Sequence, residues 1–190
     1  KLLNGSPYNG ATRHYPIASE YNTNIFNGSI VMIVAAGGVE LMLDKGTAAD
    51  QFNIHTIGVF VGCTYTDPNS KQLIFSQYWP ASTVATDAQA YVIDDPNVLF
   101  KAQANGIVTT AERGFNIHLT EVQATGTGST TTGNSTISLD AANDAVTATF
   151  PFRIVDFTND ALNNAGDAFT EVLVRFNPAY HSFTNTGAGI

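Results

Sequence analysis

Apolar residues along this chain come in short runs, many alternating with polar positions and most closed by Gly, Pro, Asn or Asp. Alternation with a period of two marks a strand with one buried face, and β-branched and aromatic residues fill these runs as strands prefer. The pattern predicts strands over Ser29–Val34, Val39–Leu43, Ile57–Tyr65, Gln72–Trp79, Ala88–Asp94 and Val98–Ala104. Further strands are predicted over Ile107–Thr110, Phe115–Ala124, Ser135–Leu139, Val146–Val155 and Ala168–Asn177. Gly37-Gly38 reads as a hairpin tip, and Asp67-Pro68-Asn69-Ser70 as a type I turn with proline presetting φ at its second position. No window sustains helical amphipathicity beyond a turn or two in Ala81–Ala90. Short strands with regular turn signals predict an all-β chain of compact barrel or sandwich units.

The chain divides on the same signals. Residues 1–24 show little periodicity and are punctuated by Gly, Pro and Asn, which predicts an extended, irregular N-terminal arm. Its apolar members, Tyr8, Tyr15, Ile17 and Tyr21, suit a segment laid on a surface rather than a free tail. A first β-unit is expected over 25–105 and a second over 106–190. Gly126–Gly133 (GTGSTTTG) is too polar and Gly-rich to pack and reads as an exposed flexible tip.

Ile57–Ser82 (IGVFVGCTYTDPNSKQLIFSQYWPAS) holds the only cysteine, Cys63, and the only tryptophan, Trp79. Strict alternation puts Val59, Val61, Cys63 and Tyr65 on one face, and Phe60, Gly62 and Thr64 on the other. A nucleophilic cysteine needs a helix N-terminus or a cation to lower its pKa, and nothing local supplies either, so Cys63 is expected to be a buried, inert thiol. Trp79, followed by Pro80, reads as a core residue closing its strand or as an anchor for another protein.

Composition narrows the functional classes. Charged residues make up 13% of the chain, about half of the ordinary share of roughly a quarter. Such a surface suits a protein that meets other protein over much of its area. The net charge is −8 and the eight basic residues are scattered singly, so neither nucleic acid nor an anionic membrane is an expected partner. No run of eighteen apolar residues occurs, so no transmembrane helix is expected.

The chemistry-bearing residues form no recognisable constellation. His14, His55, His118 and His181 show none of the spacings of a helical zinc site. Asp94 and Asp95 precede Pro96, where aspartate initiates turns. Calcium-loop, nucleophile-elbow and phosphate-loop patterns are missing. No catalytic residue, cofactor or metal is assigned, and the expectation is a protein that is not an enzyme.

The succession IFNGSIVMI, IGVFVGCTYTD, FSQYWPAS, AYVIDDPNVLFKAQANG, FRIVDF and NNAGDAFTEVLVRFNPAYHSF resembles head-associated structural proteins of tailed bacteriophages, of the capsid decoration or cement kind, notably from marine phages. The resemblance spans residues 14 to 190. It implies a small β-rich virion protein on the outer surface of the capsid, bound to the major capsid protein, self-associated as a homotrimer and reaching its neighbours through an extended N-terminal arm. Tyr8, Tyr15, Ile17, Tyr21 and Trp79 are then the candidate capsid or subunit contacts. The alternative is a tail- or fibre-associated module for receptor or carbohydrate binding, with Trp79 and Tyr78 as its aromatic platform.

Overall fold

A computed structural model describes residues 1–49, 53–124, 126–158 and 161–187. The chain is all-β, with two antiparallel sheets. Ten strands are described: β1 (Arg13–Pro16), β2 (Ile30–Ile33), β3 (Val39–Leu41), β4 (Thr56–Thr66), β5 (Leu73–Ser76), β6 (Gln89–Ile93), β7 (Phe100–Gln103), β8 (Asn116–Ile117), β9 (Phe152–Phe157) and β10 (Glu171–Phe176). The first sheet runs β1-β6-β4-β2-β3, with β5 also paired to β4; the second runs β7-β10-β9-β8.

The first sheet is the middle layer of the molecule. One face carries Val31, Leu41, Ile57, Phe60, Cys63, Tyr65, Ala90 and Val92, and is covered by Ile17, Ile25, Trp79, Ala85 and Ala88 from the segments that flank the strands. The other face presents Ile30, Met32 and Val59 to the second sheet, whose Ile154, Val172, Val174 and Phe176 complete a second core. The second sheet turns Arg153, Asp156, Glu171 and Arg175 outward, the polar alternation of a sheet with one wet face.

β4 serves both cores because its alternation is broken twice. Ile57 is an extra residue opposite β2, where Val31 pairs with Gly58 and Met32 with Thr56. Val61 is an extra residue opposite β6, where Phe60 pairs with Val92 and Gly62 with Tyr91. Each bulge reverses the facing of the residues beyond it. Strict alternation therefore misplaces two side chains: Phe60 joins Cys63 and Tyr65 in the first core, and Val59 packs into the second. Gly58 permits the arrangement, since a Cβ there would lie 2.0 Å from the Ile93 carbonyl oxygen.

Three expectations about segments are corrected. Residues 13–17 are not part of an irregular arm: β1 pairs with β6, and Tyr15 and Ile17, two apart, point into the first core. Sheet membership changes at Phe100 rather than after residue 105, because β7 pairs with β10. The expected strand Phe115–Ala124 is reduced to Asn116–Ile117. There the buried side chain of Gln123 takes over the work of a strand. Its Oε1 accepts the Ile30 N–H at 2.9 Å, and its Nε2 donates to the carbonyls of Ile30 (3.1 Å) and Met42 (2.7 Å).

The Gly/Thr segment is also more ordered than its composition suggested. Gly128 and Ser135 bridge, Ser135 donates to the Asn27 carbonyl, and Asn27 donates to that of Gly133. Gly128 sits against the ring of Phe26, so close that a Cβ would meet ring carbon at 2.2 Å. Thr130–Thr132 form the exposed tip. Two outcomes follow for equilibrium urea unfolding. Gly58→Ala is expected to lose at least about 2 kcal/mol, the range of a backbone collision in a packed strand. A Gly-Ser insertion between Thr130 and Thr131 is expected to change stability by no more than about 0.5 kcal/mol.

Candidate interaction surfaces

Three of the five candidate contact residues are core. Trp79 is fully buried, donates its indole N–H to the Tyr21 carbonyl at 3.2 Å and meets Tyr65 edge-on at 5.5 Å. Tyr15 and Ile17 are buried beside it in the same cluster. An aromatic ring of that size with a satisfied N–H is a core residue in the first instance. Trp79 therefore forms no platform with Tyr78, whose ring stacks on Phe26 at 5.6 Å. Tyr21 is half-buried, and its hydroxyl accepts the Leu41 N–H at 3.0 Å on the outer side of β3.

Tyr8 has a different setting. Residues 1–12 lie along the chain's own surface: Leu2 bridges Val98, Leu3 donates to Asn97, and Leu99 donates to Lys1. The segment turns back through a hydrogen bond from the Tyr8 hydroxyl to the Ala11 carbonyl. Between this turn and the body is an open groove of about 580 Å³, lined among others by Tyr8, Arg13, Asp94, Asp95 and Phe183. Arg13 pairs with Asp94 at 3.1 Å and lies 5.1 Å from the ring centre of Phe183. Asp94 also accepts the Tyr15 hydroxyl at 2.7 Å, and burial followed by this carboxylate raises the Tyr15 pKa above its ordinary 10.

Cys63, His118 and His181 are built into the packing, whereas His14 is exposed. Cys63 is buried with its sulfur 3.5 Å from the Tyr78 carbonyl, and burial pushes its thiol up to about 12. His118 directs Nδ1 at the Leu119 carbonyl (2.6 Å) and packs edge-on to Phe150. His181 is buried against Phe176, and its Nδ1 accepts the Phe183 N–H at 3.3 Å. Burial lowers the His181 pKa, although Asp94 and Asp95 act the other way. Among the described residues no group of three or more His, Cys, Asp or Glu is placed to hold a metal ion.

A surface that the sequence pattern did not single out lies at the end of the second sheet. Ile107 is 57% exposed, Leu162 93% and Phe169 57%. Their two loops are fastened together by Thr170. Its N–H donates to the Gly106 carbonyl at 3.1 Å, its Oγ1 accepts the Val108 N–H at 3.0 Å, and the same hydroxyl donates to the Asp167 carbonyl at 2.6 Å. Gly166 donates in turn to the Val108 carbonyl at 2.8 Å. Phe169 is held at φ +57°, a left-handed conformation that costs a residue with a Cβ roughly 1–2 kcal/mol. Phe169 shares this left-handed conformation with Glu20, Lys71 and Ser82 among the described non-glycine residues, and of the four it alone carries a large apolar ring. The only sequence signal was the run Asn163-Asn164-Ala165-Gly166-Asp167, which announces a turn but not the aromatic behind it.

No protein-family model matches the chain, and no match is found among curated proteins or solved structures.

Burial of the two titratable side chains sets opposite pH limits. His181 has its folded pKa below its ordinary 6.5, so the unfolded state binds the extra proton and stability falls as pH drops below that value. His181→Gln is expected to flatten the loss of the thermal midpoint between about pH 6.5 and pH 5. Cys63 has its pKa raised, so its contribution is complete below its ordinary 9 and is lost as pH rises toward about 12. In the folded protein Cys63 is expected to resist a thiol reagent and to react stoichiometrically in denaturant; rapid labelling of the native state would contradict its placement.

Proposed function

We propose that the chain is a non-enzymatic virion structural protein that binds the outer surface of a phage capsid as a decoration or cement protein. The observation that carries this reading is the fastened pair of loops presenting Ile107, Leu162 and Phe169 to solvent. The low-charge, acidic surface also supports it, being suited to contact with protein and not with packaged nucleic acid. The major capsid protein is the proposed partner. Burying each of these side chains contributes about 1.5–3 kcal/mol, much of which is offset by the cost of association. A single contact is therefore weak, and attachment depends on joined copies engaging neighbouring capsid subunits together.

The residues expected to make the attachment change accordingly. Tyr15, Ile17 and Trp79 hold the first core, so the contact passes to the Phe169 surface, with Tyr8 and the half-buried Tyr21 the remaining candidates from the N-terminal segment. A second reading, a tail- or fibre-associated module for a receptor or carbohydrate, is favoured by the groove. It combines the rings of Tyr8 and Phe183 with the polar groups of Arg13, Asp94 and Asp95. Chemical-shift changes confined to that groove on adding saccharides would select this second reading.

The test of the first reading is co-sedimentation with heads of the encoding phage prepared without this protein. Wild-type chain is expected to saturate at a fixed stoichiometry. Leu162→Asp is expected to weaken binding about tenfold or more, as for an anchor residue, while leaving the thermal transition unchanged. Phe169→Gly is expected to hold or raise the thermal midpoint by relieving the left-handed strain, and to weaken attachment at the same time. Wild-type protein that stays in the supernatant would rule the capsid reading out.

A further inference from the structure

The described strands leave five edges, and four of them are guarded. β1 ends in Pro16 and carries Arg13; β7 carries Lys101, ion-paired with Glu171 at 2.6 Å. β3 is three residues long, and its Leu41 N–H is taken by the Tyr21 hydroxyl; β8 is only two residues. Charge, proline, brevity and a covering group are the usual means by which an edge avoids pairing with another chain. β5, Leu73-Ile74-Phe75-Ser76, has neither charge nor proline, and among the described residues it pairs with β4 alone.

The backbone phase of β5 is readable from the turn before it. Asp67 donates to the Gln72 carbonyl at 2.9 Å, and bonded and non-bonded pairs alternate along an antiparallel ladder. Tyr65–Ile74 and Cys63–Ser76 are then the bonded pairs, so the N–H and C=O groups of Leu73 and Phe75 point away from β4. Their side chains stand outward as well, Leu73 59% and Phe75 73% exposed, while Ile74 packs on the first core.

We infer that β5 is a self-association edge, at which two copies of this chain join their first sheets across a two-fold axis through Ile74. The strand is complementary to itself in that register. Leu73 of each copy lies opposite Phe75 of the other, and both residues have outward backbone groups for a bonded pair. The two Leu–Phe pairs form on one face, a favourable cross-strand combination. Lys71 falls opposite Gln77, so no charge meets its like at the ends of the strand. Edge-to-edge pairing of identical antiparallel strands is isologous, so it closes at two copies in place of the trimer that the sequence resemblance implied. A four-residue edge falls short of the roughly 1,200–2,000 Å² of a standard interface, so the association is expected to be weak and concentration-dependent. The contact belongs to the isolated chain and does not depend on capsid binding.

Sedimentation equilibrium of the full chain from about 1 to 300 µM tests it. Wild type is expected to pass from 20.2 kDa to twice that mass. Phe75→Lys is expected to raise the dissociation constant at least about tenfold. Phe75→Pro removes one outward N–H without touching the β4 ladder and is expected to have the same effect. Leu73→Lys, at an equally exposed position, repeats the test should either variant lose its thermal transition. A wild type that stays monomeric, or closes at three copies, would overturn the inference. So would a dimer that persists in the folded variants, or pairing of the edge only with an added extended peptide.

Discussion

The fold depends on one strand having two faces that change places. Between Thr56 and Thr66, β4 carries an extra residue against β2 and another against β6, and each turns the following side chains over. Without them the apolar residues of the strand would crowd one face. With them, Ile57, Phe60, Cys63 and Tyr65 fill the first core while Val59 reaches the second. The constraint lies in the backbone. At Gly58, β6 comes so near that no side chain could be accommodated, and the approach fixes how the central strands cross.

Elsewhere, segments without strand pairing are fastened by buried polar side chains. Gln123 reaches from the second half of the chain to the backbone of Ile30 and Met42, where a strand would otherwise pair. Its oxygen accepts one backbone N–H and its nitrogen donates to two carbonyls, so both ends of the amide are partnered. A buried amide stripped of these partners is costly, which makes the position specific to glutamine as well as buried. Thr170 performs a similar service at the far end of the second sheet, where its hydroxyl and N–H fasten the two loops that display Phe169.

Most of the strands were legible because runs such as Ile57–Tyr65 and Glu171–Phe176 alternate over enough positions to stand out from their turns. The hairpin between β4 and β5 was legible from Asp67-Pro68-Asn69-Ser70, whose Asp67 carboxylate accepts the Ser70 N–H at 2.9 Å. The bulges were not, because an extra residue leaves no mark on composition and shows only as a change of phase against a partner strand. Tyr15 and Ile17 were obscured by the Pro16 between them, which reads as a breaker but is tolerated on an edge strand. Trp79 was readable as either core or anchor; the choice depends on its distance to Tyr21 and Tyr65, which are remote in the sequence.

The Gln123 clamp has a mechanical side. Apolar layers can slide by small steps, since the dispersion attraction given up at one position is recovered at the next. An amide holding two backbone carbonyls and an N–H in a dry interior cannot: it stays in register or it breaks. The segment that follows β8 is thus keyed to the β2–β3 end of the first sheet, at a position where an apolar contact alone would let it drift.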